Sequence, residues 1–176
     1  MPAHAKDMHT RCNKRCGRRA KQIMWQNYGP RRSPLQSATR YLRGMIQPYQ
    51  PEIRFSDVDA YGIVHNATYI VYMEQARIHW WRQAVRQERW DWSQIGVLVA
   101  HHTIDYVQPV KLGDPLEIAC QISEVGDKSM DVHYKMTCEG RPIATAKTVL
   151  VCFDHAQKRT VSVPQAWREA IAEAER

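Results

Sequence analysis

Residues 53–81, IRFSDVDAYGIVHNATYIVYMEQARIHWW, constrain the fold more than any other stretch. They read as a strand, a tight polar loop and a long, mostly apolar helix. Ile53 and Phe55 alternate with Arg54 and Ser56, the period-two pattern of a strand. Asp57, Asp59 and Gly62 break it. Asn66 is a good helix N-cap, and no Pro or Gly interrupts 67–89, so the helix is expected to run that far. Tyr69, Tyr72, Met73, Ala76, Trp80 and Ala84 keep the 3.6-residue spacing of one buried face. A helix this apolar must be wrapped, most simply by a curved sheet. Arg77, Arg82, Arg86 and Arg89 are expected to snorkel or face solvent, and Glu74 stands three residues from Arg77, a pairing distance.

The rest of the chain supplies the wrapper. Residues 97–107 read as a strand carrying His101 and His102 and closed by Pro109 and Gly113. Leu116, Ile118, Cys120 and Ile122 alternate with polar or small residues in the next. After the turn Gly126-Asp127-Lys128, Met130, Val132, Tyr134 and Met136 do the same. Glu139-Gly140 marks a hairpin. Residues 143–153 are almost wholly apolar or small apart from Lys147, as for a central strand buried on both faces. Pro164 opens a short helix with Trp167 and Ile171 docking. The expected class is α+β in β-α-β-β-β-β order, the last four strands forming an antiparallel meander.

The run DVDAYGIVHNATYIVYMEQAR resembles the signature of hotdog-fold acyl-CoA thioesterases of the 4-hydroxybenzoyl-CoA thioesterase type. The match falls on Asp57 and Asp59, Gly62, Ile63 and Val64, His65 and Asn66, Ala67, and Tyr69. DYVQPVKLGDPLEI is similar to a later piece of that family, and the likeness covers roughly residues 48–154. It implies a hotdog fold, an antiparallel sheet wrapped around one long central helix. It also implies hydrolysis of an acyl-CoA to a free acid and CoA, in a homodimer or homotetramer with its site at the subunit interface.

Thioester hydrolysis needs a nucleophile or base and donors for the oxygen that becomes negative. The family's catalytic Asp is the second of the pair, so the role falls on Asp59; Asp57 is expected to shape the loop. Whether Asp59 attacks directly or activates water stays open. The donor is expected to be the backbone N–H of Asn66 or His65, at the electropositive start of the helix. Gly62 is expected to permit a tight turn against substrate, and Tyr69 and Met73 to line the acyl group as well as the core. Lys128, Lys135, Arg141 and Lys147 are candidates for the CoA phosphates. No GxSxG elbow, P-loop or dinucleotide fingerprint occurs. His101 and His102 are adjacent, so on a strand they point to opposite faces. No cofactor and no metal is expected. The rival reading is a non-catalytic acyl-CoA-binding or regulatory protein on the same fold. An acyl dehydratase is a third, though that group's Asp/His motif is not seen.

Charge divides the chain. Residues 1–47 hold eleven Lys and Arg and one acid, Asp7, while the remainder holds 14 bases against 17 acids. The net +7 therefore belongs to the tail and gives no argument for nucleic acid binding by the domain, taken as 48–176. The tail is expected to be disordered. Met45, followed by IQPYQPEIRFSDVDA, reads as the natural start, with the codon ahead of it assigned too early. A dispensable tail, a transit peptide and an anion-binding arm are the alternatives. Cys12 and Cys16 with His4 and His9 fall short of a zinc motif. Five cysteines in all, and no apolar run of about 18 residues, point to reduced thiols in a cytoplasmic protein with no membrane span.

Overall fold

The computed structural model describes residues 46–85 and 94–176. The expectations for the 1–47 tail fall almost entirely outside them, as do those for Arg86 and Arg89.

Helix α1 spans Asn66–Ala84 and buries Tyr69, Tyr72, Met73, Ala76, Trp80 and Trp81. Five of these six are positions the spacing selects; Trp81 joins them, while Ala84 is only half-buried. Each large side chain so buried stabilises by about 1.5–3 kcal/mol. The helix ends sooner than expected. Val85 is extended and buried, and its N–H closes the last turn on the Trp81 carbonyl at 2.8 Å. The N-cap is His65 and not Asn66. His65 holds φ −55° and ψ 138°, with no side-chain cap.

The sheet consists of β1 (Ile95–Tyr106), β2 (Leu116–Val125), β3 (Ser129–Cys138), β4 (Arg141–Asp154) and the short β5 (Arg159–Thr160). Its order is β1-β4-β3-β2, antiparallel throughout, with β5 on β4. The expected four-strand meander holds only for β2-β3-β4, because β1 crosses to the far side of β4. Strand β4 is central as expected, but it is not fully buried on both faces. Ala144, Ala146, Thr148, Leu150 and Cys152 are buried, whereas Thr145, Lys147, Val149 and Val151 between them stay half-exposed. Lys147 on that outer face binds Asp131 at 2.6 Å. The β3–β4 hairpin turns on Glu139 and Gly140, both at positive φ (50° and 77°), the two-residue geometry whose twist suits antiparallel strands.

No regular strand forms at residues 53–56. Asp57 Oδ2 accepts the Arg54 N–H at 2.9 Å and bends Phe55–Asp57 into a 3-10 turn, leaving Phe55 exposed. Edge pairing comes earlier, where Tyr49 and Ile118 exchange backbone bonds of 2.9 and 2.8 Å. The C-terminal helix α2 (Gln165–Ala174) docks through Trp167 and Ile171, with Trp167 edge-on to Trp81 at 5.3 Å.

The two sheet edges differ. On β2, Tyr49 covers Ile118, and Glu175 at the end of α2 accepts the Ile122 N–H at 3.1 Å and binds the Gln121 amide. On β1, no described residue pairs with the outer edge, and Leu98 and Val99 are exposed. Unpaired, apolar edge strands are templates for another strand.

Candidate active site

The loop between the 3-10 turn and α1 is closed by its own backbone. Val58 bridges Val64, and Ile63 bridges Lys111. Val64 N–H donates to the Val110 carbonyl at 2.9 Å, which fixes the loop to the segment between β1 and β2. Within it, Asp59 N–H donates to Ile63 O at 2.8 Å, and Gly62 N–H to Asp59 O at 2.9 Å. Gly62 sits at φ +70°, a backbone conformation that a side chain would strain.

The two aspartates divide their labour. Asp57 is fully engaged: Oδ2 accepts Arg54 N–H and the Tyr72 hydroxyl (2.8 Å), and the Ser56 hydroxyl lies at 3.5 Å from Oδ1. The Arg54 N–H first, and then Tyr72, hold its carboxyl below the ordinary value. It pins loop to helix, as expected. A group whose pKa is lowered by folding stabilises above its unfolded pKa, about 3.9 for Asp, and loses that contribution as pH falls through the folded value. Asp57→Ala is therefore expected to be clearly less stable than wild type at pH 7, with the gap narrowing by pH 3. Urea melts at both pH values check this; a gap that does not change would show that the carboxylate's charge is irrelevant.

Asp59 keeps one oxygen in reserve. Oδ1 accepts Tyr61 N–H at 2.8 Å and Ile63 N–H at 3.2 Å, while Oδ2 has no partner among the described residues. The side chain is half-buried. One lobe of the carboxylate is thus clamped, and the other is available to a substrate or a water.

At the helix tip, the donors sort themselves. His65 N–H is spent on the Asp57 carbonyl at 2.9 Å, so it is not a free oxyanion donor, which corrects one of the two expected assignments. Ala67 N–H is taken by Asn66 Oδ1 at 3.0 Å, and Thr68 N–H by the His65 carbonyl at 3.0 Å. Asn66 N–H meets no acceptor among the described residues. It carries the positive end of a 19-residue helix. The free carboxylate oxygen and the free N–H lie on one closed loop, an arrangement that can hold a carbonyl oxygen while an acid group or water attacks its carbon.

Other expected site residues fall elsewhere. Tyr69 and Met73 are 2% and 0% exposed, so among the described residues they are core and line no open surface. Burial raises the Tyr69 phenol to about 12. Its ring meets Tyr106 edge-on at 5.2 Å, and the Tyr106 hydroxyl donates to the Asn66 carbonyl at 3.0 Å, so Tyr69 supports the helix tip indirectly. Lys135 and Lys147 lie on the outer sheet face, while Lys111, bridged to Ile63, stands exposed beside the Asp59 loop. Lys111 and Tyr106 were legible only as members of the DYVQPVKLGDPLEI piece. His102 points inward, with Nδ1 2.8 Å from the Thr148 hydroxyl.

A sheet laid against one long helix, with a carboxylate loop at the helix tip, defines the hotdog class of thioester hydrolases. Residues 53–171 match the thioesterase-like superfamily, and the chain belongs to it. It is 29% identical to a 1,4-dihydroxy-2-naphthoyl-CoA hydrolase of Synechococcus elongatus, over 71% of this chain and 96% of that one. It is 28% identical to the long-chain acyl-CoA thioesterase FadM of Escherichia coli, over 69% and 94%. Among solved structures, a Thermus thermophilus thioesterase complexed with coenzyme A and Zn superposes with a TM-score of 0.66 at 28% identity, covering 76% of this chain and 97% of that one. The hotdog fold expected from the sequence is borne out. No helix among the described residues is long and apolar enough to cross a membrane.

Proposed function

We propose that this protein hydrolyses acyl-CoA thioesters at the Asp59 loop. The observation that carries the reading is the pairing of a half-free carboxylate with the unspent Asn66 N–H. The thioester carbonyl oxygen accepts that N–H, and the helix end stabilises the negative charge that develops there. Asp59 Oδ2 either adds to the carbonyl carbon, giving an anhydride that water then opens, or takes a proton from the attacking water. Both routes expel the CoA thiolate, consume one water and release the acid. Tyr69 and Tyr106 act as positioning residues for the Asn66 backbone, and Lys111, exposed and bridged to Ile63, is a cation beside the loop for a CoA phosphate. A panel of acyl-CoAs with detection of free thiol tests the reading. Tight binding without thiol release on any member would favour a binding module instead.

The working unit we propose is a homodimer joined through the β1 edges, since β2 is covered and no described residue covers β1. A two-fold axis at that edge would hide the exposed Leu98 and Val99 of both copies. Leu98→Lys, a charge on the edge strand, is expected to shift the protein to monomer and cut turnover at least tenfold. Light scattering beside the thiol assay checks it, and a monomeric wild type would sink the dimer. The cytoplasm is the proposed compartment, supported by free thiols at Cys120, Cys138 and Cys152.

A further inference from the structure

Strand β1 turns one histidine toward the helix by breaking its own alternation. Val97 and Val99 face inward, opposite the buried Cys152 and Leu150. Strict alternation would bring His101 in next. The register slips instead between Val99 and His101, with Ala100 as the extra residue. His102, Ile104 and Tyr106 therefore take the inward places, opposite Thr148, Ala146 and Ala144. The His102 side chain shows the turn, since Nδ1 lies 2.8 Å from the hydroxyl of Thr148, which is wholly buried. Nε2 meets no partner among the described residues. Burial first, and then the Arg77 charge, hold the imidazole below its ordinary pKa, so it is neutral at pH 7.

The space in front of His102 is a groove that begins at the proposed oxyanion donor. Tyr106 marks its near end: the hydroxyl holds the Asn66 carbonyl at 3.0 Å, and the ring meets Tyr69. From there α1 leans on β2 rather than on β1. The inward side chains that β4 presents beside this stretch, Ala144 and Ala146, are small. The walls stay open and apolar. Ile70, one turn beyond Asn66, is 41% exposed, and Ile104, between Tyr106 and His102, is half-buried. His102 is the first nitrogen on this line of β1, four residues from Tyr106 and about 13 Å away at 3.3 Å per strand residue. Helix α1 reaches the same depth at Glu74, about 12 Å from Asn66 at 1.5 Å per residue. There the Glu74 carboxylate stands 3.7 Å from the Arg77 guanidinium. The groove lies on the inward side of the sheet, so pairing of two β1 edges, which runs in the plane of the sheet, leaves its floor in place.

We infer that His102 sets the length of acyl group that this protein accepts. The inference rests on the thioesterase reading for the end of the groove at which the thioester lies. With carbon–carbon bonds of about 1.5 Å, a zigzag chain advances about 1.3 Å per carbon, so about ten carbons span the apolar stretch. Up to that length each methylene is buried between Ile70 and Ile104 and adds to binding. Beyond it the chain strips water from Nε2 and returns no hydrogen bond, which cancels the gain. The substrates so defined are short and medium acyl groups, or aromatic ones of the same reach, and not long chains.

Calorimetry with unreactive thioether analogues of hexanoyl-, decanoyl- and tetradecanoyl-CoA, below the concentrations at which they form micelles, measures the limit. The parent thioesters are assayed for thiol release in parallel. Wild type is expected to bind the decanoyl analogue roughly tenfold or more tighter than the hexanoyl, and the tetradecanoyl no tighter than the decanoyl. In His102→Leu the climb is expected to continue, with the tetradecanoyl analogue roughly tenfold or more tighter than the decanoyl. His102→Gln sets an amide near the position of Nε2 and is expected to keep the wild-type break. Should His102→Leu fold poorly, His102→Met supplies the same apolarity on a more adaptable chain. A wild type whose affinity climbs through tetradecanoyl, or ignores length altogether, overturns the inference. So does a break that survives in the apolar variants, or one that is lost equally in His102→Gln. A break in binding without thiol release on any member defeats the hydrolase reading and leaves the length limit standing; thiol release with no break does the reverse.

Discussion

Asp59→Asn is expected to lower kcat about a thousandfold on every acyl-CoA that the wild type hydrolyses, while the protein melts within about 1 kcal/mol of wild type. The two halves of that expectation come from the two halves of the carboxylate. Asn keeps one carbonyl oxygen, which can go on accepting Tyr61 N–H and Ile63 N–H, so the loop around Gly62 retains its closure. What Asn cannot do is use the other position as a nucleophile or base, because an amide nitrogen has no lone pair to offer a carbonyl carbon or a water proton. Asp59→Ala removes both functions, so it should match Asn in lost turnover and exceed it in lost stability by about 1–2 kcal/mol. Steady-state kinetics with thiol detection, alongside urea melts of the three proteins, separates the effects. Near-wild-type rates in Asp59→Asn across the panel would end the assignment, whatever the melts show.

How much of this could be read beforehand varied with the kind of interaction. The helix was legible because its burial follows a period, and Tyr69 to Trp80 obeyed it. Strands β2 and β3 were legible for the same reason. The placement of β1 against β4 was not, since a strand's pattern says which face is buried and nothing about its neighbour. Phe55 failed because one carboxylate, Asp57, outweighed two alternating residues by capturing Arg54 N–H. The donor at the helix tip was half legible. Sequence places His65 and Asn66 at the helix start, but which N–H is spent depends on the Asp57 carbonyl, and backbone partners leave no mark on residue identity. Arg77 reads from sequence as a snorkelling cation, yet its side chain is only 11% exposed, a burial that depends on tertiary packing.

The Asn66 donor can be removed with little else. Asn66 is the first residue of α1, where proline is well tolerated because its missing N–H is one that the helix does not use. The residue before a proline must be extended, and His65 already sits at φ −55° and ψ 138°. Asn66→Pro should therefore keep the helix and delete the free N–H. It also deletes the Asn66 Oδ1 bond to Ala67 N–H, and Asn66→Ala controls for that loss because it keeps the backbone donor. Expected is a fall in kcat of about 10²–10³ for Asn66→Pro, the usual cost of one oxyanion donor, against less than tenfold for Asn66→Ala. Both should lose about 1 kcal/mol of stability from the missing Asn66 Oδ1 bond to the Ala67 N–H. The contrast between the two variants carries the argument, since side-chain chemistry would penalise them equally and only a backbone donor separates them. Equal rates in Asn66→Pro and Asn66→Ala, with circular dichroism showing the helix intact in each, would move the oxyanion site away from the tip of α1.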